Sequence, residues 1–172
     1  MPIHLEDLDV VSDLAGVRSA LIVPCNMCPA ITVAVNERKP FIRLFRHFLK
    51  SAPFERHIRE LQSRLGAEGV ETEVFNSRLP HHWFLCMWSS GQRKKLQRRA
   101  KRHDAAIVLG CDTANETVRD AVRSTGCKVI EGMEVTGFMN AKLKVHLPCD
   151  VCLEDCKIVP MPRRSPDKDT SH

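Results

Sequence analysis

Two short apolar runs, Ala20 to Val23 and Ala105 to Leu109, each stop at a turn that carries a cysteine: Leu-Ile-Val-Pro-Cys at 21–25 and Ile-Val-Leu-Gly-Cys at 107–111. Runs this short, bounded by proline or glycine, read as buried strands. Helical patterns alternate with them, and that alternation builds a parallel or mixed sheet with helices on both faces. The expected fold class is α/β: a three-layer, mostly parallel open sheet of Rossmann-like type with a cysteine-rich C-terminal segment. One domain is expected over residues 1–161. Residues 162–172, opening Pro-Arg-Arg-Ser-Pro, bury too little to fold and are expected to be a disordered tail. Ligands of open sheets bind beyond the carboxyl ends of the strands, so Cys25 and Cys111 are placed to meet there.

Around these runs the pattern is mixed. Leu5, Leu8 and Val11, three apart and followed by Gly16, predict a short leading helix. Pro29 suits the first turn of a helix and puts Cys28 at or beside its N-cap. Phe41, Leu44, Phe45, Phe48 and Leu49 form one helical face; Phe54, Ile58, Leu61 and Leu65 form another, opened by Pro53 and ended at Gly66. Glu71 to Phe75 reads as a strand. Residues 81–88 are apolar without a period. Thr113 and Glu116 match a capping box, and Val118, Ala121 and Val122 face inward before Gly126. Lys128 to Ile130 reads as a fourth strand and Leu143 to Leu147 as a fifth, with Ile158 to Met161 as its pairing partner.

The 172 residues, 43% hydrophobic and 27% charged, are enough for one core and exclude a wholly disordered, collagen-like or fibrous chain. Net charge is 26 − 21 = +5, of which Arg93, Lys94, Lys95, Arg98, Arg99, Lys101 and Arg102 supply +7, leaving −2 elsewhere. Leu96 and Ala100, four apart, fit the buried stripe of a helix whose other faces are solvated. The competing reading is a zinc-stabilised nucleic-acid module, with Trp83 and Trp88 stacking on bases. It lacks a second basic surface, and nucleic acid is not the expected partner. No run reaches the roughly 20 apolar residues of a membrane span. The acidic start, with Glu6, Asp7, Asp9 and Asp13, is unlike a secretory signal. A cytoplasmic address is expected, in which cysteines stay reduced and serve metal or redox chemistry.

Eight cysteines are therefore the main clue. Cys25, Cys28 and Cys111 stand at strand ends or helix starts, where backbone donors and the helix dipole favour a thiolate and are expected to lower its pKa. Cys86, from a segment flanked by loops, completes four sulfurs, the number that closes a zinc site or holds an iron–sulfur cluster. Cys149, Cys152 and Cys156 form a second, tight group that can wrap one ion with a further ligand, for which His146 is nearest. Cys127, alone at a strand start, reads as an ordinary buried thiol. His81 and His82 lack the companions that mark a metal or acid–base site. Cys25-Asn-Met-Cys28 between strand and helix also fits a thioredoxin-like thiol oxidoreductase or sulfur carrier, though that reading leaves Cys86, Cys111 and the terminal trio without a role.

The order of these features, namely Cys25 and Cys28 after a strand, Cys86, Asp104-Ala-Ala-Ile-Val-Leu-Gly-Cys111 with Thr117-Val118 beyond, a strand at Lys128 to Gly132 and a cysteine-rich end, resembles the small partner subunit, or C-terminal domain, of bacterial methylenetetrahydrofolate reductases. The resemblance spans residues 20 to 160. It implies a cytoplasmic α/β module that carries zinc or an iron–sulfur cluster and docks, as an accessory or electron-transfer protein, on a methylenetetrahydrofolate reductase-like, flavin or corrinoid methyltransferase redox enzyme. The longer cysteine- and glycine-rich closing motif of that family is absent, and only Cys149, Cys152 and Cys156 stand in its region.

Overall fold

The computed structural model describes residues 2–43, 51–75, 84–147 and 150–161. Its order is β1 (Ile3–Asp7), β2 (Ser19–Pro24), α1 (Cys28–Asn36), β3 (Ile42–Arg43), α2 (Ala52–Ala67), β4 (Glu71–Val74), α3 (Ser90–Ala100), β5 (Ala105–Leu109), α4 (Asp112–Val122), β6 (Lys128–Glu131), β7 (Met133–His146) and β8 (Asp150–Pro160), with short 3-10 turns at Val11–Asp13 and Leu85–Met87. The fold is mixed α/β with two four-stranded sheets: a parallel one, β4-β2-β5-β6, and an antiparallel one, β1-β7-β8-β3.

The parallel sheet follows from its residues. Every position of β5 is buried, as are Ala20 to Pro24 of β2, and successive side chains point to opposite faces. Ala20, Ile22, Ala105, Ile107 and Leu109 join one core with Ala30 and Ile31 of α1 and Phe54, Ile58 and Leu65 of α2. Leu21, Val23, Ala106 and Val108 join the other with Leu96 and Ala100 of α3 and Val118 and Val122 of α4. The basic helix is thus anchored by its apolar stripe, with Arg93 paired to Asp120 at 2.6 Å and Arg99 to Glu73 at 3.1 Å. Trp88 is buried against Phe75, its ring centroid 5.2 Å away, and offers no face to a base.

The antiparallel sheet corrects two expectations. The leading segment is a strand, not a helix: β1 pairs with β7, which seats Leu5 in the core beside α1 and α2, and this burial outweighs the three-residue spacing. The last strands do not extend the parallel sheet; β7 and β8 form a long antiparallel ribbon in which Met139 faces Ile158 and Leu143 faces Leu153. Phe41 and Ile42 are buried beside β3, whereas Leu44, Phe45, Phe48 and Leu49 lie outside the described residues, as do His81, His82, Trp83, Cys149 and the segment 162–172. Among the described residues no helix is long and apolar enough to cross a membrane.

Candidate functional site

The chain leaves β2 for β4 on one side and returns to β5 on the other, so the sheet reverses its winding between β2 and β5. This is the place where open α/β sheets hold ligands. Pro24 pairs level with Leu109, and the Cys25 N–H donates to the Leu109 carbonyl at 2.9 Å. Cys25 follows one strand and Cys111 the other. Gly110 between them is required by packing: a Cβ there would stand 2.5 Å from the Ala114 Cβ and 3.6 Å from the Cys25 Cβ.

Two helices begin at the same crevice. α1 starts at Cys28, after Met27 and with Pro29 in its first turn; α4 starts after Cys111, which is its N-cap. Neither N-cap makes a side-chain hydrogen bond, so the Thr113 and Glu116 capping box is not what opens α4, which already begins at Asp112. Met27 and Cys111 pack against both cores, at the seam of the sheet edge. The Leu85–Met87 turn packs on α4 and carries Cys86, which is exposed.

The sulfurs act on one another. Burial pushes the Cys25 thiol up to about 11, opposed by backbone hydrogen bonds from Leu85 and Met27 and reinforced by the charges of Cys28 and Cys111. Cys28 is also pushed up, first by burial, against a backbone hydrogen bond from Ile3, then by the charges of Cys111 and Cys86. The expected lowering at these helix starts is therefore reversed for Cys25 and Cys28, because desolvation of a thiolate outweighs the dipole. The four cysteines come from three segments; Cys28 and Cys111 act on Cys25, and Cys111 and Cys86 act on Cys28, and none of the four is in a disulfide. Among the described residues no three His, Cys, Asp or Glu side chains are arranged to hold a metal ion.

The second cysteine group is built differently. Cys152 lies opposite Lys144 on β8, on the face away from Val151 and Leu153, which pack on the core. A bulge follows, with Asp155 at φ 50°, and it returns Cys156 to the core side. The two sulfurs thus point to opposite faces of an extended strand, and His146 is engaged with Glu154 at 2.8 Å. Cys127 is buried at the start of β6, its thiol pushed up to about 11 by burial and then by the Asp104 charge.

No family model, curated protein or solved structure matches this chain significantly. The site's own chemistry must carry the functional reading.

Two features escaped the sequence patterns. Asn115 of α4 is wholly buried among apolar neighbours; a polar residue on the inward stripe between Ala114 and Val118 is the signal that marks it. A cleft of about 150 Å³ opens at the ends of β5 and β6, lined in part by Asp7, His57, Glu60, Arg64, Leu109 and Gly132. His57 meets Asp7 at 3.2 Å, and that hydrogen bond raises its pKa. His57, Glu60 and Arg64 occupy one polar face of α2, at the spacing that groups helical neighbours.

Proposed function

We propose that this chain is a cytoplasmic metal-carrying module of Rossmann-like type. Cys25, Cys28, Cys86 and Cys111 are its sulfur ligands for zinc or an iron–sulfur cluster. Its role is that of an accessory or electron-transfer protein docking on a redox enzyme of one-carbon or methyl-transfer chemistry. The observation that supports the ligand set is that Cys25 and Cys28 after β2 and Cys111 after β5 stand at the switch point between these neighbouring strands, with Cys28 and Cys111 acting on the ionisation of Cys25 and Cys111 and Cys86 on that of Cys28. The partner class rests on the family resemblance.

The donor set fits a soft metal, since thiolate sulfur favours zinc and iron–sulfur clusters over hard ions. The raised Cys25 and Cys28 thiols suit such a set: without metal these two keep their protons, and binding must release them, so affinity rises with pH. The N-termini of α1 and α4 direct backbone donors and positive dipole ends to the place where four thiolates would gather negative charge. Bound zinc would supply structural closure, and an iron–sulfur cluster one-electron transfer. The dithiol reading draws on the same Cys25 and Cys28, but an attacking sulfur must ionise near working pH. A Cys25 thiol at about 11 with Cys28 also raised disfavours it.

The test is iron, zinc and acid-labile sulfide per chain after anaerobic purification, on wild type, Cys111→Ser and Cys127→Ser. Wild type and Cys127→Ser are expected to hold stoichiometric metal and Cys111→Ser to lose it, because a hydroxyl is a poor ligand for soft metals. Metal-free wild type of full thermal stability, or loss of metal at Cys127→Ser with retention at Cys111→Ser, contradicts the proposal.

A further inference from the structure

The cleft at the ends of β5 and β6 is lined by the end of β1, the turn after it and one face of α2, with no cysteine among its residues. It opens beyond the carboxyl ends of parallel strands, where sheets of this kind hold ligands. Part of its lining is apolar and buried, from Val10, Leu61 and Leu109. The charged part divides in two. His57 and Asp7 meet at 3.2 Å, and the His57 ring stacks on Phe54 with centroids 6.1 Å apart, so these two groups answer each other and are held in place. Glu60 and Arg64 are not answered in this way. Glu60 precedes Arg64 by four residues on α2, the spacing and order in which helical ion pairs form best, yet among the described residues neither side chain makes a hydrogen bond or an ion pair. Both line the cleft instead, one of each sign beside an apolar surface.

We infer that this cleft binds a small α-amino acid with an apolar side chain of about the size of valine. The Arg64 guanidinium takes its carboxylate, Glu60 takes its ammonium, and Val10, Leu61 and Leu109 take its side chain. A guanidinium fork matches a carboxylate through two parallel bonds, and an ammonium brings three donors to a carboxylate. A ligand with one charge of each sign satisfies both groups, whereas a simple anion is repelled by Glu60 and a simple cation by Arg64. Size agrees: the cleft of about 150 Å³ equals roughly five waters at about 30 Å³ each. That is below the roughly 300–1,000 Å³ of sites for drug-sized ligands, which leaves out a nucleotide or a folded peptide. The inference is independent of the metal-binding reading above.

The experiment is titration of the full chain with L-valine, read by amide NMR shifts. Isovalerate, which lacks the ammonium, and isobutylamine, which lacks the carboxylate, are the comparison probes. L-valine is expected to give saturable shifts at Leu8, Leu61 and Gly132. Each comparison probe is expected to bind about 10-fold or more weakly, as the loss of a charge-assisted hydrogen bond entails. Glu60→Gln is expected to abolish the preference for valine over isovalerate, and Arg64→Gln the preference over isobutylamine. Both side chains are exposed, so each variant keeps the fold, which its amide spectrum verifies. Absence of saturable shifts with L-valine, isovalerate or isobutylamine binding as tightly as valine, or both variants binding valine as wild type does, overturns the inference.

Discussion

The end of the parallel sheet and the C-terminal ribbon both carry cysteines, and they treat them in opposite ways. At the sheet end, cysteines distant in sequence converge because strand order brings β2 and β5 side by side and starts a helix after each. In the ribbon, Cys152 and Cys156 are near in sequence but separated by a bulge that turns them to opposite faces. Close spacing wraps an ion only where the backbone curls; in an extended strand it deals side chains to alternate sides. Topology, not spacing, decides which cysteines stand near one another.

The largest effect that sharpens this contrast is on pH. Cys25 has its folded pKa raised to about 11 from an ordinary 9.0, so the fold favours the neutral thiol. Its stabilising contribution is fully present below pH 9 and is lost as pH rises toward 11. At about 1.4 kcal/mol per unit, the loss in metal-free protein amounts to as much as about 3 kcal/mol. Urea midpoints of chelator-treated protein are expected to fall over that window, and to fall less in Cys25→Ala, where Cys127 and Cys28, also raised, still titrate. An equal fall in both would place the titrating group elsewhere.

A smaller effect separates the two regions directly. Gly110→Ala sets a Cβ 2.5 Å from that of Ala114, and Gly137→Ala sets one 2.5 Å from the Val159 carbonyl in the ribbon. Each is expected to cost roughly 1–3 kcal/mol, as overpacking does. Only Gly110→Ala is expected to lower metal content as well. Equal metal content in the two variants, measured on folded protein, would break the distinction.

Much of the parallel half is legible because its local patterns are unambiguous, short apolar runs closed by proline or glycine and apolar helical stripes: β2, β5, α2 and the stripe of α3 stand where those patterns put them. The strand Ile3–Asp7 was not, since Leu5, Leu8 and Val11 mimic a helical period and only the partner β7 decides otherwise. The long ribbon was read only as its two ends, because a bulge breaks its alternation. The positions of Cys25, Cys28 and Cys111 at strand ends and helix starts were visible in the flanking proline and glycine, but the rise in the Cys25 and Cys28 thiols was not. Burial is a property of the assembled layers, and it overrides the helix dipole that the sequence displays.

The most direct test of the proposed sulfur centre is alkylation of each cysteine under native conditions, mapped by mass spectrometry on anaerobically purified protein with and without a chelator. Cys28, Cys86 and Cys111 are expected to be protected as a set and to become reactive together when the chelator is added, with Cys25, buried and raised to about 11, unreactive in both samples and Cys152 and Cys156 modified to the same extent in both. Chelator-dependent protection of Cys152 and Cys156, or a reactivity of Cys28, Cys86 and Cys111 that the chelator leaves unchanged, would contradict it.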